Sequence, residues 1–66
     1  MTPQEKTAKT FMTLLRFSVL LNSPKRRNHI SPKDTKLLKG LGKMQYHEIA
    51  GGIHFDELMK LKEKYL

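Results

Sequence analysis

The chain contains no cysteine and no long apolar run, and each absence excludes a class of protein. Without cysteine it can form neither a disulfide scaffold nor a zinc site with thiolate ligands. The longest apolar stretch, residues 11–21, is interrupted by Thr13, Arg16 and Ser18, whereas a membrane-spanning helix needs about 20 apolar residues. We therefore expect no membrane span and no membrane partner.

Export is not expected either. The apolar stretch continues into Leu21-Asn22-Ser23-Pro24, which lacks the small residues of a signal-peptide cleavage site. Together with the absence of cysteine, this predicts a cytoplasmic protein. A chain of 66 residues forms one domain at most, and it buries only about 60% of the surface that its unfolded form exposes. Packing between helices, or binding to a partner, must therefore stabilise the fold.

Acidic residues are scarce in the middle of the chain, and this scarcity creates a strongly basic segment. Residues 24–43 contain seven lysines and arginines and the single acid Asp34, a net charge of +6, whereas the whole chain carries +7. Residues 1–23 carry +2 and residues 44–66 carry −1. Such an asymmetry indicates a surface for a polyanionic partner.

Capping patterns and helix breakers predict an all-α fold, a small single-domain bundle of three or four helices. Thr2-Pro3-Gln4-Glu5 and Ser31-Pro32-Lys33-Asp34 each combine a hydroxyl cap, a proline at the first helical position and an acid in the first turn. Pro24 ends the first helix, and Gly51-Gly52 ends the third. The predicted helices span residues 3–22, 32–40, 43–50 and 54–65.

The first helix is apolar on more than one side. At about 100° per residue, one stripe is formed by Ala8, Phe11, Met12, Leu15 and Val19, and we expect this stripe to face the core. A second apolar set falls outside the stripe and consists of Leu14, Phe17, Leu20 and Leu21. The full predicted core consists of Phe11, Leu15, Val19, Leu38, Leu41, Ile49, Leu58 and Leu61.

The second apolar set has two interpretations. It has the spacing of a helix that binds in the groove of a partner protein, which would suit a small adaptor or inhibitor from a virus or mobile element. Alternatively it is ordinary core, and this is favoured because so short a bundle needs nearly all its large apolar residues inside. A homodimer would reconcile the two interpretations.

The basic segment is the strongest functional feature of the sequence. Its lysines at positions 33, 36, 39 and 43 project to one side of the second helix, away from the leucines. Cations clustered beside a helix start suit contacts to phosphates. The alternatives are a solvated helix face with a solubilising loop, or a contact with an acidic protein surface. The predicted nucleic-acid-binding residues are Lys25, Arg26, Arg27, Lys33, Lys36, Lys39 and Lys43.

This pattern predicts a small nucleic-acid-binding regulator or accessory factor, with DNA as the first expected target. A helix-turn-helix is a candidate arrangement, with residues 45–50, the turn Gly51-Gly52-Ile53 and the last helix for recognition. However, Asp56 and Glu57 would lie where a recognition helix meets base edges, close to phosphates that repel them. We therefore expect residues 24–43 to make the main contacts and sequence-specific recognition to be limited.

Nothing in the sequence indicates catalysis, a cofactor or a metal site. His29, His47 and His54 lack the spacing and the additional ligands of a metal centre. No nucleophile has an adjacent base, no glycine loop is suited to phosphate, and the chain is too short to enclose a large pocket. We therefore expect a binding protein rather than an enzyme.

Overall fold

A computed structural model describes residues 2–25 and 29–66, and in these residues it contains four helices and no strand. α1 packs against the other three helices, and α4 also contacts the two helices that precede it. None of these four helices is long and apolar enough to cross a bilayer. The prediction of a small all-α bundle is confirmed. The helices are α1 (Pro3–Leu21), α2 (Pro32–Leu41), α3 (Tyr46–Ala50) and α4 (His54–Tyr65).

The two predicted capping sequences start α1 and α2. The Thr2 hydroxyl accepts a hydrogen bond from the Glu5 backbone N–H at 3.2 Å, and Pro3 occupies the first helical position. In the same way, the Ser31 hydroxyl accepts from the Asp34 backbone N–H at 3.2 Å. Each hydroxyl satisfies an amide that has no partner within the helix, which stabilises a helix start by about 1 kcal/mol.

The connection between α2 and α3 is longer than predicted. The backbone N–H of Lys43 bonds to the Gly40 carbonyl at 3.2 Å, and that of Met44 bonds to the Leu41 carbonyl at 3.1 Å. Each bond reaches back three residues instead of four, so the chain tightens into turns and the α-helix ends. Residues 43–45 therefore precede α3, which is only 5 residues long.

The hydrophobic core lies where the helices meet. The buried apolar residues confirm five of the predicted core positions, which are Leu38, Leu41, Ile49, Leu58 and Leu61. Phe17 and Ile30 complete the same cluster, at 1% and 4% exposure. Partly buried side chains pack around it, namely Leu14, Leu20, Leu21, Met44, Met59 and Tyr65.

The prediction of which side of α1 faces the core is wrong. Phe11, Leu15 and Val19 are 42%, 48% and 65% exposed. They lie on the opposite side of the helix from Phe17, which is 1% exposed. The core therefore takes the second apolar set, and the expected core stripe faces outward.

Two buried threonines explain why the sequence pattern predicted the wrong buried side of α1. Thr10 and Thr13 lie on the buried side, at 0% and 2% exposure, and they make that side look less apolar in the sequence. The Thr10 hydroxyl donates to the Lys6 carbonyl at 2.9 Å, so its polar group keeps a hydrogen bond after burial. Burying this threonine in a helix therefore costs little. It follows that the core set is Leu14, Phe17, Leu20 and Leu21.

Residues 23–30 have the composition of a polar loop, but Ile30 is an apolar anchor within them. It is 4% exposed and belongs to the core cluster. The next residue, Ser31, donates its backbone N–H to the Tyr65 hydroxyl at 3.4 Å. These contacts fix the start of α2 against the C-terminal part of α4.

Candidate functional site

The lysines of α2 lie on the side of the helix that faces solvent. Lys33, Lys36 and Lys39 are all exposed, and their spacing places neighbouring members about 60° apart around the helix. The buried residues Leu38 and Leu41 lie on the opposite side. These three lysines are called the α2 basic face below. Three positive charges are thus gathered on one side of a folded helix.

Further predicted cations flank this face along the chain. Lys43 is exposed in the turn that follows α2, and Lys25 is exposed after Pro24. Arg26 and Arg27, which complete the predicted set, lie outside the described residues. The structure therefore describes five of the seven predicted nucleic-acid-binding residues, and all five are exposed to solvent.

Asp34, the single acid of residues 24–43, lies on the other side of α2 from the basic face. Its carboxylate accepts hydrogen bonds from the Lys64 ammonium, at 3.2 Å, and from the Tyr65 hydroxyl. The Tyr65 ring also packs edge-on against Phe17, with the ring centres 6.4 Å apart. Asp34 therefore joins α2 to α4 and does not neutralise the α2 basic face.

The pKa values of Asp34 and Lys64 reflect this contact. Hydrogen bonds from Tyr65 and Lys64 lower the pKa of the Asp34 carboxyl below its ordinary value. The hydrogen bond to Asp34 in turn raises the pKa of the Lys64 ammonium. Both changes favour the charged forms, so the pair stays ionised at neutral pH. The negative charge of Asp34 is therefore matched by a lysine of α4.

The α2 basic face has no neutralising partner within the described part of the chain. The ion pair found there joins Lys64 to Asp34 at 3.2 Å, and the His54 ring contacts the Glu57 carboxylate at 3.3 Å. None of the five described cations of residues 24–43 has a described carboxylate oxygen within 4.0 Å. Their charges are therefore balanced by solution counterions, which a polyanion can displace.

The first turn of α4 is acidic, which is the wrong charge for a helix that enters a nucleic-acid groove. Asp56 is exposed, and the half-buried Glu57 contacts the His54 ring at 3.3 Å. α3 and α4 do follow each other with a short connection, as in a helix-turn-helix. Phosphates would nevertheless repel the carboxylates at this end of α4.

α1 carries a second exposed surface, which the sequence pattern assigned to the core. Phe11, Met12, Leu15 and Val19 are between 42% and 65% exposed, and they are called the α1 apolar surface below. Tyr46 of α3 borders it, with its ring edge-on to that of Phe11 and the ring centres 5.3 Å apart. This surface is opposite to the side of α1 that packs in the core.

An open groove of about 440 Å³ extends the α1 apolar surface towards α4. Leu66, which follows α4 and is 41% exposed, contributes an apolar side chain to it. Among the described residues of its lining, Arg16 alone has a charged side chain. The described residues that line the groove are Leu15, Arg16, Val19, Leu20, Ser23 and Leu66.

The sequence held one signal for this surface. The second half of α1 has large apolar residues on more than one side, so either the whole helix is buried in the bundle or one apolar side stays outside the core. The apolar pattern alone does not reveal which side of α1 is exposed, because that depends on which side buries its threonines.

No protein-family model, curated protein or solved structure matches the chain. A function must therefore be inferred from the α2 basic face and the α1 apolar surface. The two surfaces differ in chemistry, since one favours polyanions and the other favours apolar partners.

Proposed function

We propose that the protein binds nucleic acid through the α2 basic face, together with Lys25, Lys43 and the adjacent Arg26 and Arg27. The observation that carries this proposal is the distribution of charge around α2. The three lysines are exposed on one side of the helix, and the single acid is engaged by Lys64 on the other. A polyanion that neutralises these lysines releases counterions, which supplies a large part of the free energy of such complexes.

Lysines favour contacts with the phosphate backbone over contacts with bases. A lysine ammonium is a point charge, whereas arginine, asparagine and glutamine form the bidentate pairs that distinguish base edges. The α2 basic face contains lysines only, and Arg26 and Arg27 are the two arginines among the seven proposed contacts. We therefore expect similar affinities for duplexes of different sequence, with DNA as the first target and a regulatory or accessory role.

The salt dependence of binding reports the number of phosphate contacts. With four contacts, from the α2 basic face and position 43, the slope of log K against log salt would be about −3.6. Affinity would then fall about 150-fold between 50 and 200 mM salt. Contacts from the three cations at positions 25–27 would steepen the slope to about −6.

A matched pair of double variants tests the assignment. Lys36→Gln with Lys39→Gln removes two charges from the α2 basic face, whereas Lys9→Gln with Lys60→Gln removes two exposed charges elsewhere. Affinity for a fluorescent random duplex and for a random single strand is measured by anisotropy over a range of salt concentrations. We expect the first variant to reduce the salt slope by about 2 and the second to leave it unchanged.

Two results would contradict this proposal. Equal losses in both variants would mean that net charge alone drives binding, and the assigned face would be rejected. If the unmodified protein bound neither duplex nor single strand at low salt, nucleic-acid binding itself would be rejected. Circular dichroism of each variant checks that its helices are intact.

A protein partner bound through the first helix is a second candidate function, and the exposed α1 apolar surface favours it. The residues first assigned to this role, Leu14, Phe17, Leu20 and Leu21, pack in the core instead. The α1 apolar surface has the same helical spacing and is accessible. Leu15→Asp should therefore disrupt such a complex while the chain stays folded.

A further inference from the structure

We infer that the α1 apolar surface pairs with a second copy of this chain, through two antiparallel α1 helices. The inference does not depend on nucleic-acid binding. It rests on the second candidate function, since it specifies which protein binds the α1 apolar surface. Size, shape and charge each support a copy of the chain as that occupant.

The exposed apolar area is large for so small a protein. The α1 apolar surface, Tyr46 and Leu66 are each between 41% and 65% exposed. With roughly 200 Å² for a fully exposed large side chain, these fractions amount to about 580 Å². The accessible surface of the described chain is 4957 Å², so about a tenth of it belongs to this patch. A typical partner contributes a similar share of its surface to a specific interface.

Pairing of two copies would bury enough area for a specific but weak dimer. Two such patches amount to about 1,160 Å², which is just above the roughly 1,000 Å² that a biological interface requires. Interfaces at this lower limit of size are weak or transient, so we expect association only at high protein concentration.

The shape of the surface suits pairing with itself. A two-fold axis perpendicular to α1, at the level of residues 13–15, brings the same patch of both copies together in antiparallel orientation. Phe11 and Met12 of one copy then face Leu15 and Val19 of the other, so larger side chains meet smaller ones. The spacing of four residues between Phe11, Leu15 and Val19 forms the ridge that packs into the groove of a crossing helix.

The charges around the patch favour a copy of the chain over a strongly acidic partner. Glu5, Lys9 and Arg16 follow one edge of the patch along α1, and Lys62 and Glu63 of α4 lie beyond it. These five side chains carry a net charge of only +1, whereas residues 24–43 carry +6. Along this edge of the patch, two copies would therefore meet with little repulsion.

Two substitutions of an exposed apolar residue by aspartate test the inference. Leu15→Asp lies in the centre of the patch, whereas Ile53→Asp lies between α3 and α4, at a position that is 75% exposed. Molecular mass is measured by sedimentation equilibrium from about 5 to about 500 µM protein. We expect the unmodified protein and Ile53→Asp to rise from 7.7 kDa towards twice that mass, and Leu15→Asp to stay at 7.7 kDa.

Three outcomes would overturn the inference: an unmodified protein that stays monomeric, an Ile53→Asp variant that dissociates as Leu15→Asp does, or a Leu15→Asp variant that still associates. In the first case, titration with a nucleic acid, with anionic vesicles and with neutral vesicles shows whether another occupant takes the surface. If Leu15→Asp loses helicity, Val19→Gln replaces it at the most exposed position of the patch. Both variants keep every lysine, so their nucleic-acid binding as monomers separates failure of this inference from failure of the proposed function.

Discussion

Phe17→Ala removes the largest fully buried side chain of α1 and tests which side of that helix faces the core. The side chain is 1% exposed and packs edge-on against Tyr65, so its loss leaves a cavity and an unpaired aromatic ring. Such a deletion costs about 3 to 5 kcal/mol of the free energy of unfolding. A domain of this length has only about 3 to 10 kcal/mol in total, so the variant should lose from about a third to all of its stability.

Phe11→Ala is the matched control, because it removes the same side chain from the opposite side of the same helix. Phe11 is 42% exposed and leaves no enclosed cavity, so we expect a loss of only about 1 to 2 kcal/mol, mainly from its contact with Tyr46. Urea unfolding is followed by circular dichroism at two protein concentrations, so that any effect of association is separated from the stability of the monomer. A larger loss in Phe11→Ala than in Phe17→Ala would refute the assignment of the buried side.

Three further predictions concern α2. The pKa of Asp34 in the folded state lies below its ordinary 3.8, so the stability that its carboxylate provides is present above that pH and is lost as the pH falls through the lowered value. Asp34→Asn should therefore make Tm fall less steeply below pH 4. If Tm falls as steeply as in the unmodified protein, other acids cause the loss of stability. Ser31→Ala should cost about 1 kcal/mol in urea unfolding, since it removes the cap of α2, and no loss would mean that the cap is dispensable. Gly40→Ala should stabilise the protein by about 0.5 to 1 kcal/mol, because nothing lies within 4 Å of the added Cβ. A lower urea midpoint in this variant would contradict the helical geometry of that position.

The starts of the helices and the outward direction of the lysines could be predicted because both depend on neighbours within one turn. Thr2 and Ser31 cap their helices through the amide three residues later, which is a local interaction. The spacing of Lys33, Lys36 and Lys39 follows from the period of the helix alone, and Leu38 and Leu41 identify the opposite side as the buried one. Such local patterns predict helix starts and exposed sides of helices without knowledge of the fold.

The side of α1 that faces the core, and the engagement of Asp34, depend on contacts that no local pattern encodes. Both sides of α1 are apolar enough to be buried, and the choice is decided by how Phe17 fits against residues far along the chain, such as Tyr65. The helical period alone places Asp34 away from the lysines, but Asp34 meets Lys64 across 30 positions of sequence, so this partner could not be foreseen. The residue that made the wrong side of α1 look favourable was threonine, whose polarity is satisfied by the helix itself at Thr10.

The two proposed surfaces are coupled if both proposals hold, because a dimer carries two α2 basic faces. A nucleic acid long enough to contact both would bind the dimer more tightly than the monomer, with a salt slope up to twice as steep. By linkage, nucleic acid must then strengthen dimerisation by the same factor. Leu15→Asp would therefore weaken nucleic-acid binding without removing a cation, whereas Lys36→Gln with Lys39→Gln would leave the mass of the free protein unchanged. Equal affinity of the unmodified protein and Leu15→Asp for long duplexes would mean that the two surfaces act independently.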